Sequence, residues 1–117
     1  MTDDEAMALG LRAVATKHWR WMGGMKDMQG RTVTPCILFR SHPTDTPDFR
    51  DPATMGCLVY LVREAWDDPC ACVFPIDYGP GGVRWVARLT AGGRDMTQGV
   101  HASEAEGLVR ALEAAPA

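Results

Sequence analysis

The sequence predicts an α+β fold: an antiparallel sheet of four to five strands packed with three helices, in the order αββαβββα. Three observations carry this. An almost unbroken apolar stretch runs from Pro52 to Trp66 behind an Asp51-Pro52 start. Val83, Trp85, Ala87 and Leu89 alternate with Arg84, Val86, Arg88 and Thr90, the pattern of a half-buried antiparallel strand. Two capping boxes, Thr2 with Glu5 and Ser103 with Glu106, open amphipathic segments near the two ends of the chain.

The first segment reads as a helix from Asp3 to about Lys17. Its acidic first turn suits the helix dipole, and Ala6, Leu9, Ala13 and Val14 form a buried stripe that Gly10 interrupts. Trp19-Arg20-Trp21-Met22 follows, with both tryptophans on one side if the stretch is a short strand. Gly30 marks a turn into a second strand, Arg31 to Arg40, where Pro35 implies either a sheet edge or a late start. Ser41 to Asp51 is rich in Pro and Asp and reads as a surface loop.

Asp51 caps the next helix and Pro52 fits its first position. With only Thr54, Arg63 and Glu64 polar between Ala53 and Trp66, this helix is expected at the centre of the core, packed on most sides. Asp67-Asp68-Pro69 ends it. Cys70 to Ile76 and Val83 to Thr90 then form a hairpin, and Arg94 to Val100 a third strand after Gly92-Gly93. The glycine-rich turn from Asp77 to Gly82 lacks the Lys-Ser/Thr ending of a phosphate loop and precedes a strand rather than a helix. A last helix runs from Glu104 to about Ala115, with Ala105, Leu108, Val109 and Leu112 inward. No repeat or linker divides the chain, so residues 1–117 are read as a single domain.

Composition narrows the function. The chain is 46% hydrophobic and 23% charged, values of a folded rather than a disordered protein. Its net charge of -3 and its scattered basic residues argue against direct nucleic-acid binding, which needs clustered Lys and Arg. No apolar run reaches the ~18 residues of a membrane span, and the acidic start, Met1-Thr2-Asp3-Asp4-Glu5, is unlike a signal peptide. A cytoplasmic location follows as an expectation, with Cys36, Cys57, Cys70 and Cys72 as reduced thiols.

No catalytic constellation, metal site or cofactor motif is predicted. Structural zinc needs two pairs of ligands at short spacing, and only Cys70-Ala71-Cys72 is close. His18, His42 and His101 are scattered along the chain, and spacing places no catalytic partner for any of them. Candidate binding residues remain. Trp19, Arg20 and Trp21 combine the residue types richest in interface hot spots, weighed against the same rings covering the core. Asp45 and Asp48 stand in the long loop as possible acidic contacts.

Trp19 to Met22, then Asp51 to Trp66, then Ser103 to Ala115 resemble, in that order, small proteins of phages and prophages that carry a so-called phage ABA sandwich domain. The resemblance implies helices on both faces of a sheet, a phage or prophage origin and a bacterial host cytoplasm. It supplies no catalytic residues. The expectation is a non-enzymatic binding protein with a protein partner, or a homodimer, acting on a host or phage macromolecule. Inhibition of a host defence such as a CRISPR effector is its most concrete form. A small enzyme using His42 and Asp45, and a structural or assembly protein of the phage particle, are the alternatives.

Overall fold

The computed structural model describes residues 1–34, 46–91 and 94–116. Its elements are α1 (Asp3–Val14), α2 (Pro52–Ala65), β1 (Cys72–Asp77), a 3-10 turn (Gly79–Gly81), β2 (Val83–Ala91), β3 (Arg94–His101) and α3 (Glu104–Ala114).

Each helix starts where its cap dictates. Thr2 Oγ1 accepts the Glu5 N–H, Asp51 accepts the Thr54 N–H, and Ser103 Oγ accepts the Glu106 N–H. These bonds satisfy donors that have no partner within the helix. Beyond α2, Asp67 takes a left-handed φ of 50° and Asp68 turns inward. The Asp68 carboxylate accepts the Cys70 N–H at 2.9 Å and the Thr90 N–H at 3.0 Å, which ties the α2–β1 turn to β2.

The sheet is antiparallel with strand order β1-β2-β3. Val73 pairs with Ala87, Phe74 with Val86 and Pro75 with Trp85. Pro75 has no N–H to donate, which suits its place on an edge strand. The β2–β3 register shifts between Trp85 and Ala87, so Trp85 still faces His101 at the end of β3.

This corrects the strand count. Among the described residues the sheet has three strands rather than four or five, and the element order is ααβββα rather than αββαβββα. Trp19–Met22 joins no sheet. The alternation of its tryptophans reflects packing on the core rather than a ladder, because both rings, with Met22, pack against the main apolar cluster. In the next expected strand, residues 35–40 lie outside the described residues, and Thr32 makes only an isolated bridge to Lys26. The chain there closes on itself instead. Gly24 N–H bonds Val33 O, Val33 N–H bonds Met25 O, and the buried Asp27 carboxylate accepts the N–H groups of Gln29 and Arg31.

A second difference concerns the centre of the molecule. α2 buries Thr54, Leu58, Leu61 and Val62 but leaves Tyr60, Arg63 and Glu64 exposed. The helix at the centre is α3, which touches all three strands as well as α1 and α2. Its small residues explain this. A Cβ on Gly107 would stand 3.0 Å from Val73 Cγ1 and 3.3 Å from His101 Cδ2, so glycine lets the helix lie close on the sheet. On its other sides, the buried Trp66 indole donates to the Ala111 carbonyl at 2.8 Å, and Arg12 of α1 pairs with Glu113 at 2.6 Å. Leu108 and Leu112 are 1% exposed in the same core as Leu58, Leu61 and Leu89. Truncating either to alanine costs about 2–5 kcal/mol.

Gly10 makes the corresponding close approach on α1. A Cβ there would lie 2.6 Å from the Pro47 carbonyl oxygen and nearer still to Thr46 Cγ2. No helix among the described residues is long and apolar enough to cross a membrane.

Candidate functional site

The Trp19-Arg20-Trp21 segment sends its side chains in two directions. Trp19 packs edge-on to Trp21, with ring centroids 5.5 Å apart, and to Phe49 at 6.0 Å. Both indoles are half-buried against the core, and the Trp19 N–H has no hydrogen-bond partner among the described residues. They form the floor of a surface rather than a free aromatic patch. Arg20, between them in sequence, points out.

Arg20 forms a two-pronged ion pair with Glu64 of α2. Its guanidinium also lies 5.9 Å from the centre of the Tyr60 ring. Tyr60 and Glu64 are one helical turn apart on α2, so one arginine spans both. Hydrogen bonding by Arg20 holds the Glu64 carboxyl below its ordinary range, and Glu64 raises the arginine in return. Arg20 and Glu64 each keep 47% of their side-chain surface in water. Such an exposed pair contributes little to folding stability. Tyr60 is 52% exposed. A groove of about 510 Å³ continues from Tyr60 and Glu64 along Arg63, Asp67 and Pro69 to the buried Asp68.

The predicted site residues are therefore divided. Trp19 and Trp21 pack on the core, and only Arg20, which reaches α2, is exposed. Asp48 is engaged with Arg50, which donates through its side chain and its backbone N–H. Those bonds hold Asp48 below its ordinary pKa. Arg50 also reaches Asp3 at 2.6 Å, linking the start of α1 to the approach to α2. Asp45 and His42 lie outside the described residues, as does Cys36. His18 donates to the Pro116 carbonyl at 2.9 Å and so fastens the end of the chain. His101 is buried where β3 meets α3. Cys57, Cys70 and Cys72 are free thiols, and burial pushes the Cys57 thiol up. No cluster of three metal-ligating side chains occurs among the described residues.

Sequence reasoning missed Tyr60 and Glu64, having assigned their helix to the interior. The available signal was Tyr60, Arg63 and Glu64 at one-turn spacing, the only stretch of α2 with a continuous polar edge.

No protein-family model, curated protein or solved structure matches this chain.

Proposed function

We propose that this chain is a non-enzymatic binding protein that engages a protein partner through the exposed side of α2, with Arg20, Tyr60 and Glu64 at the centre of the contact. The observation that carries this reading is the half-exposed Tyr60 ring with Arg20 held against it by Glu64. An arginine fixed between a carboxylate and a ring has already lost much of its rotational freedom. A partner that covers it therefore meets a smaller entropic penalty. Tyrosine and arginine are also the residue types that most often dominate interface energies.

The resemblance to phage and prophage proteins supplies the setting of the proposal: a phage-derived protein acting in the host cytoplasm on a host or phage macromolecule. Interference with a host defence is the most specific form. The net charge of -3 suits an approach to a basic protein groove, of the kind that otherwise holds nucleic acid.

The test is affinity capture from bacterial lysate, with plating of phage on defended and undefended hosts. Tyr60→Ala and Arg20→Ala should lose the captured protein while keeping the circular dichroism spectrum of the parent. Capture that is indifferent to both substitutions, or plating unaltered by the protein, would overturn the reading.

A further inference from the structure

We infer that a second surface, where the starts of α1, α2 and α3 meet, takes a basic amphipathic helix of a partner protein. Two grooves adjoin there. One, of about 550 Å³, lies between the start of α2 and the start of α3, over Phe49, Met55, Val59 and Ala105. The other, of about 490 Å³, lies between α1 and the start of α3, over Ala8 and Leu9. Met1 and Ser103 line both. This surface is separate from the one formed by Arg20, Tyr60 and Glu64.

The floor is apolar and adaptable. Phe49 is buried, Met55 and Val59 are half-buried, and Met1 is 48% exposed. The flexible thioether of methionine lets such a floor fit side chains of different shape. Gly56 lines the larger groove, and a Cβ there would meet nothing within 4 Å. No contact inside the chain calls for a glycine at that position, and its missing side chain leaves the groove open. A bound helix presents apolar anchors one turn apart along one face, which suits two grooves side by side.

Charge decides the occupant. The two arginines on the rim are already engaged, Arg12 by Glu113 at 2.6 Å and Arg50 by Asp3 at 2.6 Å and Asp48 at 2.9 Å. Glu106 accepts the Ala102 N–H and pairs with Arg110. The side chains of Glu5 and Glu104, which also line the grooves, have no hydrogen bond or ion pair among the described residues. Each helix start carries only about half a positive charge, and the first turns of α1 and α3 hold Asp3, Asp4, Glu5, Glu104 and Glu106 against it. An apolar floor inside a negative rim matches a helix with one apolar face and Lys or Arg beside it. The same rim repels a second copy of this chain, a nucleic acid and an anionic bilayer.

The probe is a fluorescent synthetic peptide of about 18 residues, or five helical turns, with Leu and Trp on one face and Lys and Arg on the other. Its controls are a scrambled sequence of the same composition and a version with Glu in place of Lys and Arg. By anisotropy the basic peptide should bind one per chain and weaken as salt is raised, and both controls should bind at least about 10-fold more weakly. Gly56→Phe, which fills the open position, should weaken the basic peptide about 10-fold or more. The double variant Glu5→Gln, Glu104→Gln keeps every packing contact, so it should lose about 3-fold and flatten the salt dependence. Leu11→Ala, exposed on α1 outside both grooves, should bind as the parent does. In methyl-labelled protein the Met1 and Met55 signals should shift on binding and that of Met28 should not. No binding, equal binding of either control, parent-like affinity of Gly56→Phe, an unchanged salt dependence in the double variant, or shifts that spare Met1 and Met55 would each overturn the assignment.

Discussion

Two glycines inside helices should respond to alanine with opposite signs. At Gly10 of α1, a new Cβ would lie 2.6 Å from the Pro47 carbonyl oxygen, against the 3.4 Å at which ordinary contact begins. Something must therefore move by about 0.8 Å. The Pro47 segment resists, because Met28 N–H bonds Thr46 O at 2.8 Å and Asp48 N–H bonds Lys26 O at 2.9 Å. Overpacking of this kind costs about 1–3 kcal/mol. Alanine returns only about 0.8–1 kcal/mol of helix propensity. The net effect of Gly10→Ala is then a loss of up to about 2 kcal/mol. At Gly56 of α2 nothing lies within 4 Å of the added carbon, so only the propensity gain of about 1 kcal/mol remains. Urea unfolding separates the two. With a slope of about 2 kcal/mol/M, the midpoint should fall by up to about 1 M for Gly10→Ala and rise by about 0.5 M for Gly56→Ala. A rise for Gly10→Ala would refute the packing of α1 on residues 46 and 47.

Thr54→Val keeps the shape of a fully buried side chain but strands the Lys26 N–H that Thr54 Oγ1 accepts at 2.8 Å. Chemical denaturation should show a loss of about 1–3 kcal/mol, and an unchanged midpoint would contradict it. Trp66→Phe removes the indole donor from the Ala111 carbonyl inside the core. It should cost about 1–3 kcal/mol for the orphaned acceptor alone; stability equal to that of the parent would rule the bond out as a contributor. Acid should weaken the fold. Asp48 is held below its ordinary pKa by Arg50, and Asp51 by the Thr54 N–H. For carboxylates depressed in the folded state, the stabilisation is fully present above the unfolded value of about 4 and is lost as pH falls through the lower native values. Urea midpoints at pH 7, 4.5 and 3 should therefore be similar for the first two and lower at the third, and a midpoint that holds or rises at pH 3 would contradict the assignment.

Local chemistry was the part of this fold that could be read from sequence. Thr2, Asp51 and Ser103 start helices by bonding N–H groups three residues on, so their signals are contained in a few residues. The three strands were equally legible, because alternation acts within each strand and the Gly79–Gly82 turn within the first hairpin. What failed was the stretch from Trp19 to Val33. Alternating tryptophans look the same whether they line a strand or wedge against a core, and only long-range packing distinguishes the two cases. The central helix was misplaced for a related reason. Mean apolarity pointed to α2, whereas access to the sheet depends on the small Gly107, whose role appears only beside Val73 and His101. The candidate site was half legible. Arg20 stood out by residue type, but its partners Tyr60 and Glu64 lie about forty positions away and meet it only through tertiary structure.

The central claim is that the Arg20–Tyr60–Glu64 surface is where this protein meets its partner. The most direct measurement is the affinity of the captured partner for the parent and for Tyr60→Ala, set beside Leu11→Ala, an equally exposed apolar residue on α1. The account predicts that Tyr60→Ala weakens binding about 30-fold or more, the scale of a hot-spot loss of about 2 kcal/mol, while Leu11→Ala binds as the parent does. Equal affinity for parent and Tyr60→Ala would contradict it.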